Sequence, residues 1–262
     1  MISAAVAALT AATAGSAMAA GPTLTNPYVS VFGGYAMGKG TVNANGFDYD
    51  INNSNNNIFY EFQDVIGNVG NGWLLGMAVG ANLSDSVRGE VEISHARLET
   101  STSGMYTEYN SYNNGNSIYN YYNTTNVAKD NLSATFLMAN LWYDIDMGSS
   151  ITPYIGGGVG AAYVDGHFYG NFNGNSDPAN YYDLHASGWA PAFQVGGGLK
   201  VAVSPNMDLD FGYRYKQVVD VGVSTSTDSE VESYTDDISG YRADSKMNFG
   251  VHVLQAGLTV HF

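Results

Sequence analysis

The sequence predicts an all-β protein: an eight-stranded antiparallel transmembrane β-barrel with four long extracellular loops and short periplasmic turns. Three observations support this prediction. The chain is rich in Gly and Tyr, with 32 and 20 residues, and only 13% of its 262 residues are charged. Large apolar residues alternate with small or polar ones in eight segments, as in strands whose two faces meet different surroundings. The connections between these segments are alternately short and long.

Composition also excludes several classes of protein. The chain has no Cys, so it offers neither a disulfide framework nor a thiolate metal site. The 24 Asp and Glu outnumber the 9 Lys and Arg, and the formal net charge of -15 argues against nucleic acid as a partner. No window holds the roughly 18 uninterrupted apolar residues of a membrane helix, so membrane insertion would have to use strands.

The N-terminal segment resembles an export signal. Residues 1–20 are small or apolar and end in Ala17-Met18-Ala19, the small-x-small pattern of a signal-peptidase site. We therefore expect a cleaved signal peptide over residues 1–20 and a barrel domain over residues 21–262. The first basic residue is Lys39, although such signals normally open with a basic residue, which leaves open a start farther upstream.

The strands follow from period-two alternation. In the seventh predicted strand, Leu209 and Phe211 lie on one face, whereas Asp210 and Arg214 lie on the other. Large apolar residues on one face with small or charged residues opposite them fit a narrow barrel surrounded by lipid, the reverse of a soluble β-sandwich. The predicted strands are 27–38, 73–84, 87–99, 131–146, 151–165, 189–203, 207–219 and 249–262.

The connections indicate how the barrel is oriented. Tight turns fall near 84–86, 147–150 and 204–206, and long connections cover 39–72, 100–130, 166–188 and 220–248. Outer-membrane barrels have short periplasmic turns and long extracellular loops, so we expect both termini to be periplasmic. The sequence leaves open whether the long connections are ordered or continue the strands as hairpins.

Aromatic residues near the predicted strand ends are typical of the girdles that anchor a barrel at the lipid headgroups. The residues predicted to form these girdles are Tyr28, Trp73, Trp142, Tyr143, Tyr163, Trp189, Tyr213, Tyr215 and Phe262.

Four motifs resemble those of a known family. They are PYIGGGVG at 153–160, FQVGGGL at 193–199, NMDLDFGYRY at 206–215 and QAGLTVHF at 255–262. Together they resemble the eight-stranded opacity-type outer-membrane proteins, which are related in architecture to the OmpA transmembrane domain and to small surface antigens of Gram-negative bacteria. The resemblance implies an outer-membrane location, with Phe262 as the signal read by the barrel-assembly machinery. It implies little about function, because the family includes adhesins and small pores.

Charged residues on the inward faces form one candidate site. They are Arg88, Glu90 and Glu92 on the third strand, Lys200 on the sixth, and Asp208, Asp210, Arg214 and Lys216 on the seventh. In an eight-stranded ring the third and seventh strands face each other, and a buried charge without a partner is costly, so cross-lumen ion pairs are expected. These pairs could form a plug that fills the barrel or a gate that admits ions; the plug is favoured.

The histidines give no clear catalytic site. Ser94 and His95 are neighbours, so in a strand they point to opposite faces and cannot form a dyad. His167 and His185 flank the third long loop and are interpreted as solvated loop residues, although nearby carboxylates could help them hold a metal loosely. These carboxylates are Asp165, Asp177 and Asp183. We therefore predict no enzyme activity, no cofactor and no metal site.

Tyrosines in the second long loop form the second candidate site. They are Tyr106, Tyr109, Tyr112, Tyr119, Tyr121 and Tyr122, among Asn, Ser and Gly. This palette suits an adaptable binding surface, but it also describes an inert hydrated cover. We predict a surface protein whose loops contact a host or cell-surface ligand. The alternative is a small porin, motivated by a predicted lumen of Gly, Ala and charged residues. Outer-membrane lipid and lipopolysaccharide are the expected membrane partners. The acidic loop 220–248 lacks the spacing of a calcium loop, so at most a diffuse bridging to lipopolysaccharide through divalent ions is open to it.

Overall fold

The computed structural model describes residues 24–52, 57–111, 117–124, 130–171, 181–226, 240–243 and 246–262. Side chains are described for 24–43, 66–102, 130–168, 185–224 and 246–262. The predicted signal peptide, 1–20, lies outside the described residues.

Ten strands make up the described structure. They are β1 Thr25–Asn52, β2 Asn57–Asn82, β3 Val87–Ser111, β4 Ser117–Thr124, β5 Asp130–Asp144, β6 Ile151–Asn171, β7 Tyr181–Ser204, β8 Met207–Ser226, β9 Gly240–Ala243 and β10 Lys246–His261. Within the described ranges, no helix has the length and apolarity needed to cross a bilayer.

Eight of the strands close into a barrel. The pairing order is β10-β8-β7-β6-β5-β3-β2-β1, every pair is antiparallel, and β1 also pairs with β10. The short strands β4 and β9 lie outside this ring, where β4 pairs with β3 and β9 with β1. The predicted eight-stranded antiparallel barrel is therefore confirmed, since each predicted strand lies within or largely overlaps one member of the ring.

At one end the strands run well past their predicted limits. β1 and β2 remain paired up to Asn52 opposite Asn57, and β4 pairs with the far end of β3. The connections shortened in this way are 39–72, 100–130, 166–188 and 220–248. Period-two alternation did not reveal these extensions, because strands outside the lipid have no need of one strongly apolar face. We call the end of the barrel with these extended strands the long-strand end, and the opposite end, with the tight turns, the short-turn end.

The outward face of the ring is apolar. Leu75, Ile155 and Val159 expose 59%, 61% and 68% of their surface, which in a barrel of this kind is the surface that faces lipid. The prediction of an aromatic girdle is wrong for two residues, Tyr28 and Trp142, which point inward and are buried. They lie at inward positions of β1 and β5, so their place in the strand alternation, not their nearness to a strand end, decides which way they face.

Large apolar side chains fill the lumen towards the long-strand end. Among the largest fully buried members of this apolar plug are Phe136, Phe168, Phe249, Leu74, Leu98 and Leu132. The expected lining of Gly, Ala and charged residues is therefore wrong for this half of the barrel. Gly67 shows how tight the packing is, because a Cβ at this position would lie 2.6 Å from the Phe168 ring.

Candidate functional site

All eight inward charges singled out in the sequence lie inside the ring, between the apolar plug and the short-turn end. Six of the eight fall into two groups. The Glu92 cluster comprises Glu90, Glu92, Asn140, Gln194, Arg214 and Lys216, next to the apolar plug. The Arg88 cluster comprises Tyr28, Arg88, Asp144 and Lys200, nearer the short turns.

Glu92 is the centre of the first cluster and is completely buried. Arg214 Nη1 lies 2.6 Å from its Oε2, and Lys216 Nζ lies 2.6 Å from its Oε1. Neutral donors complete the shell: Ser94 Oγ donates to Oε1 over 2.7 Å, and Gln194 Nε2 and Asn140 Nδ2 donate to Oε2 over 2.9 Å and 3.0 Å. Because β3 and β8 are not neighbours in the ring, both ion pairs span the lumen.

Glu90 balances the second cation of this cluster. Its carboxylate accepts hydrogen bonds from Tyr28 OH at 3.1 Å and Asn140 Nδ2 at 2.9 Å, and Arg214 Nη1 lies 3.8 Å away. The Arg214 guanidinium carbon also lies 4.7 Å from the centre of the Trp142 ring. Two carboxylates and two cations thus share a buried site with no excess charge, the condition under which burial of charge is tolerable.

The Arg88 cluster is centred on a residue that the sequence did not single out. Asp144 Oδ2 lies 2.7 Å from Arg88 Nε and 2.8 Å from Lys200 Nζ. Arg88 Nη1 also donates to Tyr28 OH over 3.1 Å, and this hydroxyl links the two clusters.

The two remaining charges make local contacts with residues that the sequence did not assign to the site. Asp210 accepts a hydrogen bond from Tyr154 OH at 3.0 Å, and Asp208 Oδ2 lies 2.9 Å from His261 Nε2.

The strand alternation itself carried a signal for the residues that were missed. Tyr154, Asn140 and Gln194 lie at inward positions of predicted strands, but attention to formal charge passed over neutral side chains. Asp144 was overlooked near the predicted end of its strand.

Little space remains between the clusters. A cavity of about 20 Å³, room for one water molecule, lies beside Arg214, Trp142, Tyr154 and Gln255. Together with the apolar plug, the clusters occupy the lumen with packed side chains.

The tyrosine candidates that the structure describes lie in strands and not in a loop. Five of them belong to β3 or β4, with Tyr106 opposite Tyr122, Tyr109 opposite Tyr119 and Tyr121 opposite Thr107. Tyr112 lies outside the described residues.

A row of tyrosines crosses four strands of the extended sheet. Tyr49 is opposite Tyr60, Tyr60 is opposite Tyr109, and Tyr109 is opposite Tyr119. Directly opposite residues of antiparallel strands share a face of the sheet, so these positions form one line across β1, β2, β3 and β4. We call it the tyrosine row.

The positions of two histidines also differ from those expected from the sequence. His167 and His185 lie directly opposite each other on β6 and β7, so they are strand residues and not loop residues. Asp177 lies outside the described residues. Ser94 is buried in the lumen and His95 lies on the other face, where its Nδ1 is 2.9 Å from Thr135 Oγ1, as predicted for neighbours in a strand.

The C-terminal residue, Phe262, continues the outer wall at the short-turn end. Its side chain is 72% exposed, and its backbone N–H donates to Pro27 O over 2.9 Å. The last residue of the chain is thus fixed beside the start of β1.

Comparison with known proteins gives a family and several distant relatives. The model of a surface antigen family matches residues 25–258. Outer membrane protein PagN of Salmonella typhimurium is 31% identical over 121 residues, which are 45% of this chain and 46% of that protein. An uncharacterized protein of Brucella abortus is 28% identical over 134 residues, 48% of this chain and 46% of that one. The matched part thus spans about half the length of these curated relatives.

Solved structures of bacterial outer-membrane proteins align along most of the chain. Neisserial surface protein A aligns with a TM-score of 0.45 and 17% identity, over 90% of this chain and 97% of that one. OprG of Pseudomonas aeruginosa aligns with a TM-score of 0.45 and 14% identity, over 91% and 98% of the two chains.

Proposed function

The chain belongs to the surface antigen family and is an outer-membrane β-barrel of the Gram-negative type, and on this premise we propose that it is a non-enzymatic protein of adhesion or surface interaction. Its lumen is sealed by ion pairs and apolar side chains. Its long-strand end is extracellular and contacts a ligand on a host cell, on another cell or on a matrix.

The packed lumen is the observation that carries this proposal. Phe136, Phe168 and Phe249 fill one half, and the neutralised Glu92 cluster fills the next layer. Barrels of eight strands have an interior just wide enough for side chains to fill, so a solute would have to displace this core. The same packing argues against the alternative of a small porin, and it leaves the long-strand end as the place where function can reside.

The tyrosine row supports a binding role for that end. Tyr offers a large, rigid, amphipathic contact surface at low cost in conformational entropy, whereas Ser, Gly and Asn supply adaptable hydrogen bonds. The row lies in the extended sheet at the long-strand end, where β1, β2, β3 and β4 are paired in register and continue the barrel.

Membrane partners are part of the proposal. Outer-membrane barrels carry their longer connections on the extracellular side, which sets the long-strand end towards the lipopolysaccharide leaflet. Lys39 and Arg97 are exposed on the outer wall towards that end, and Arg97 is opposite the exposed Trp73. These cations suit contact with lipopolysaccharide phosphates. At the other end, the exposed Phe262 suits recognition by the barrel-assembly machinery.

The absence of catalysis is proposed from the placement of the nucleophile candidates. Ser94 points into the lumen and donates to Glu92, whereas His95 faces away from it. Among the side chains that the structure describes, this pair therefore has no workable geometry for general-base activation of a hydroxyl.

The proposal is tested by measuring how bacteria that display variants of the tyrosine row bind to host cells or to matrix. We expect the double variant Tyr109→Ser/Tyr119→Ser to lose most binding, while Tyr106→Ser/Tyr122→Ser, which changes a facing pair on the other side of the same hairpin, keeps it. Surface display of both variants is measured by antibody labelling. Unchanged binding by a well-displayed Tyr109→Ser/Tyr119→Ser variant would contradict the proposal.

A further inference from the structure

Three potential metal ligands meet on the outer wall of the barrel. His167 on β6 and His185 on β7 are directly opposite in register, and their rings stack with centroids 4.2 Å apart and planes 14° apart. Asp165 lies two residues before His167, on the same face, and its Oδ1 is 2.8 Å from His185 Nε2. One ligand atom from each of the three residues lies within 4.8 Å of the others.

The backbone beneath these residues is firmly held. The strand pairing of β6 with β7 extends on both sides of the two histidines. Three hydroxyls also fix the carbonyl groups: Thr100 Oγ1 donates to His167 O at 2.9 Å, Ser133 Oγ to Asp165 O at 3.1 Å and Ser224 Oγ to His185 O at 3.4 Å.

The ligand set indicates the class of ion. Two imidazoles and one carboxylate suit zinc, nickel or copper, whereas calcium and magnesium prefer oxygen ligands alone. All three side chains are exposed or half-buried, so water can complete the coordination shell. On the neighbouring strands, Ser133 is directly opposite Asp165 and Ser224 is directly opposite His185, and neither serine is charged.

We propose that Asp165, His167 and His185 form a binding site for one divalent transition-metal ion of the zinc class. The site lies just beyond the aromatic pair of Tyr163 and Trp189, whose ring centroids are 5.6 Å apart and which mark the girdle on these two strands. The ion joins β6 to β7 where both strands leave the lipid. This proposal goes beyond the surface-binding role and does not depend on it.

A bound ion has one direct structural consequence. It favours the folded barrel over the unfolded chain, in proportion to the logarithm of its concentration above the dissociation constant.

Calorimetric titration of the refolded, chelator-treated barrel with Zn²⁺ tests the site. We expect one ion per barrel, and an affinity at least about tenfold lower in His167→Ala and in His185→Ala, by analogy with the cost of removing even outer-shell partners. His252→Ala is the matched control, because His252 lies on the outer wall beside Tyr213 and Tyr215 and away from the cluster. A Ca²⁺ titration should give no binding at this site.

Electron paramagnetic resonance with Cu²⁺ gives a second readout, which reports the number of nitrogen ligands on the bound ion. We expect nitrogen couplings from two imidazoles in the natural sequence and from one in each single histidine variant. A heat-dependent shift in gel mobility confirms that each variant is folded. Absence of Zn²⁺ binding, or binding that survives in both His167→Ala and His185→Ala, would overturn the proposal.

Discussion

Glu92 on β3 and Lys216 on β8 meet across the lumen, with Nζ 2.6 Å from Oε1 and both side chains fully buried. The two residues are far apart in the ring, so this contact ties opposite walls of the barrel together. Removing one partner would leave the other charge buried without its counter-ion, and that asymmetry gives a sharp prediction.

Lys216→Met should destabilise the barrel by about 3–5 kcal/mol, because Glu92 stays buried with one cation fewer. Denaturant unfolding in lipid vesicles, followed by Trp fluorescence, measures the loss. Lys246→Met is the matched control: Lys246 pairs with Asp220 at 2.9 Å, but both side chains are more than half exposed. This control should cost less than about 1 kcal/mol. Equal losses in the two variants would contradict the cross-lumen role of Lys216.

Phe136→Ala should also destabilise the barrel by about 3–5 kcal/mol, because it opens a cavity in the apolar plug. The control is Val159→Ala on the outer wall, where 68% of the side chain is exposed and lipid can occupy the space left by the change. The same unfolding experiment compares the two. A Val159→Ala loss as large as that of Phe136→Ala would show that the plug is no better packed than the outer surface.

Gly67 and Phe168 should behave as a coupled pair. The Cβ of Gly67→Ala would lie 2.6 Å from the Phe168 ring and 2.8 Å from Val42, so overpacking should cost about 1–3 kcal/mol. Truncating the ring with Phe168→Leu should relieve part of this cost, giving a double-mutant coupling of about 0.5–3 kcal/mol. Strictly additive losses would mean that the two residues do not meet across the lumen.

Lys39→Gln/Arg97→Gln should weaken the association of the refolded barrel with lipopolysaccharide more than with neutral lipid vesicles. Both cations are exposed on the outer wall, and the interaction with phosphate is electrostatic, so the difference should shrink as salt increases. Lys246→Gln is the matched control, because it removes an exposed cation that is paired with a carboxylate, that of Asp220. Arg88→Gln is unsuitable as a control, because Arg88 is buried against Asp144. A variant indistinguishable from the natural sequence at low salt would contradict this contact.

The sequence alone predicts the eight-stranded barrel and which face of each strand is apolar. Lipid on one side and a narrow lumen on the other impose a period of two, and residues such as Leu209 and Arg214 obey it closely. Tyr28 and Trp142 also follow this alternation, because both lie at inward positions and are buried although they are near strand ends.

Other features depended on three-dimensional register. The stagger of the strands decides that Glu92 meets Lys216 and Arg214, and alternation alone carries no information about stagger. The opposition of His167 and His185 was missed for a related reason: the strands continue beyond the lipid, where their sequence loses its apolar face.

Planar-bilayer conductance of the refolded barrel tests the central claim, a lumen sealed by its own side chains, most directly. Insertion is established separately, by protease protection of the membrane-embedded strands. A sealed barrel that is demonstrably inserted should give no stable current steps. Reproducible steps whose size changes when Glu90, Glu92 or Arg214 is neutralised would contradict this claim, because the buried ion pairs would then form a gate in an open path.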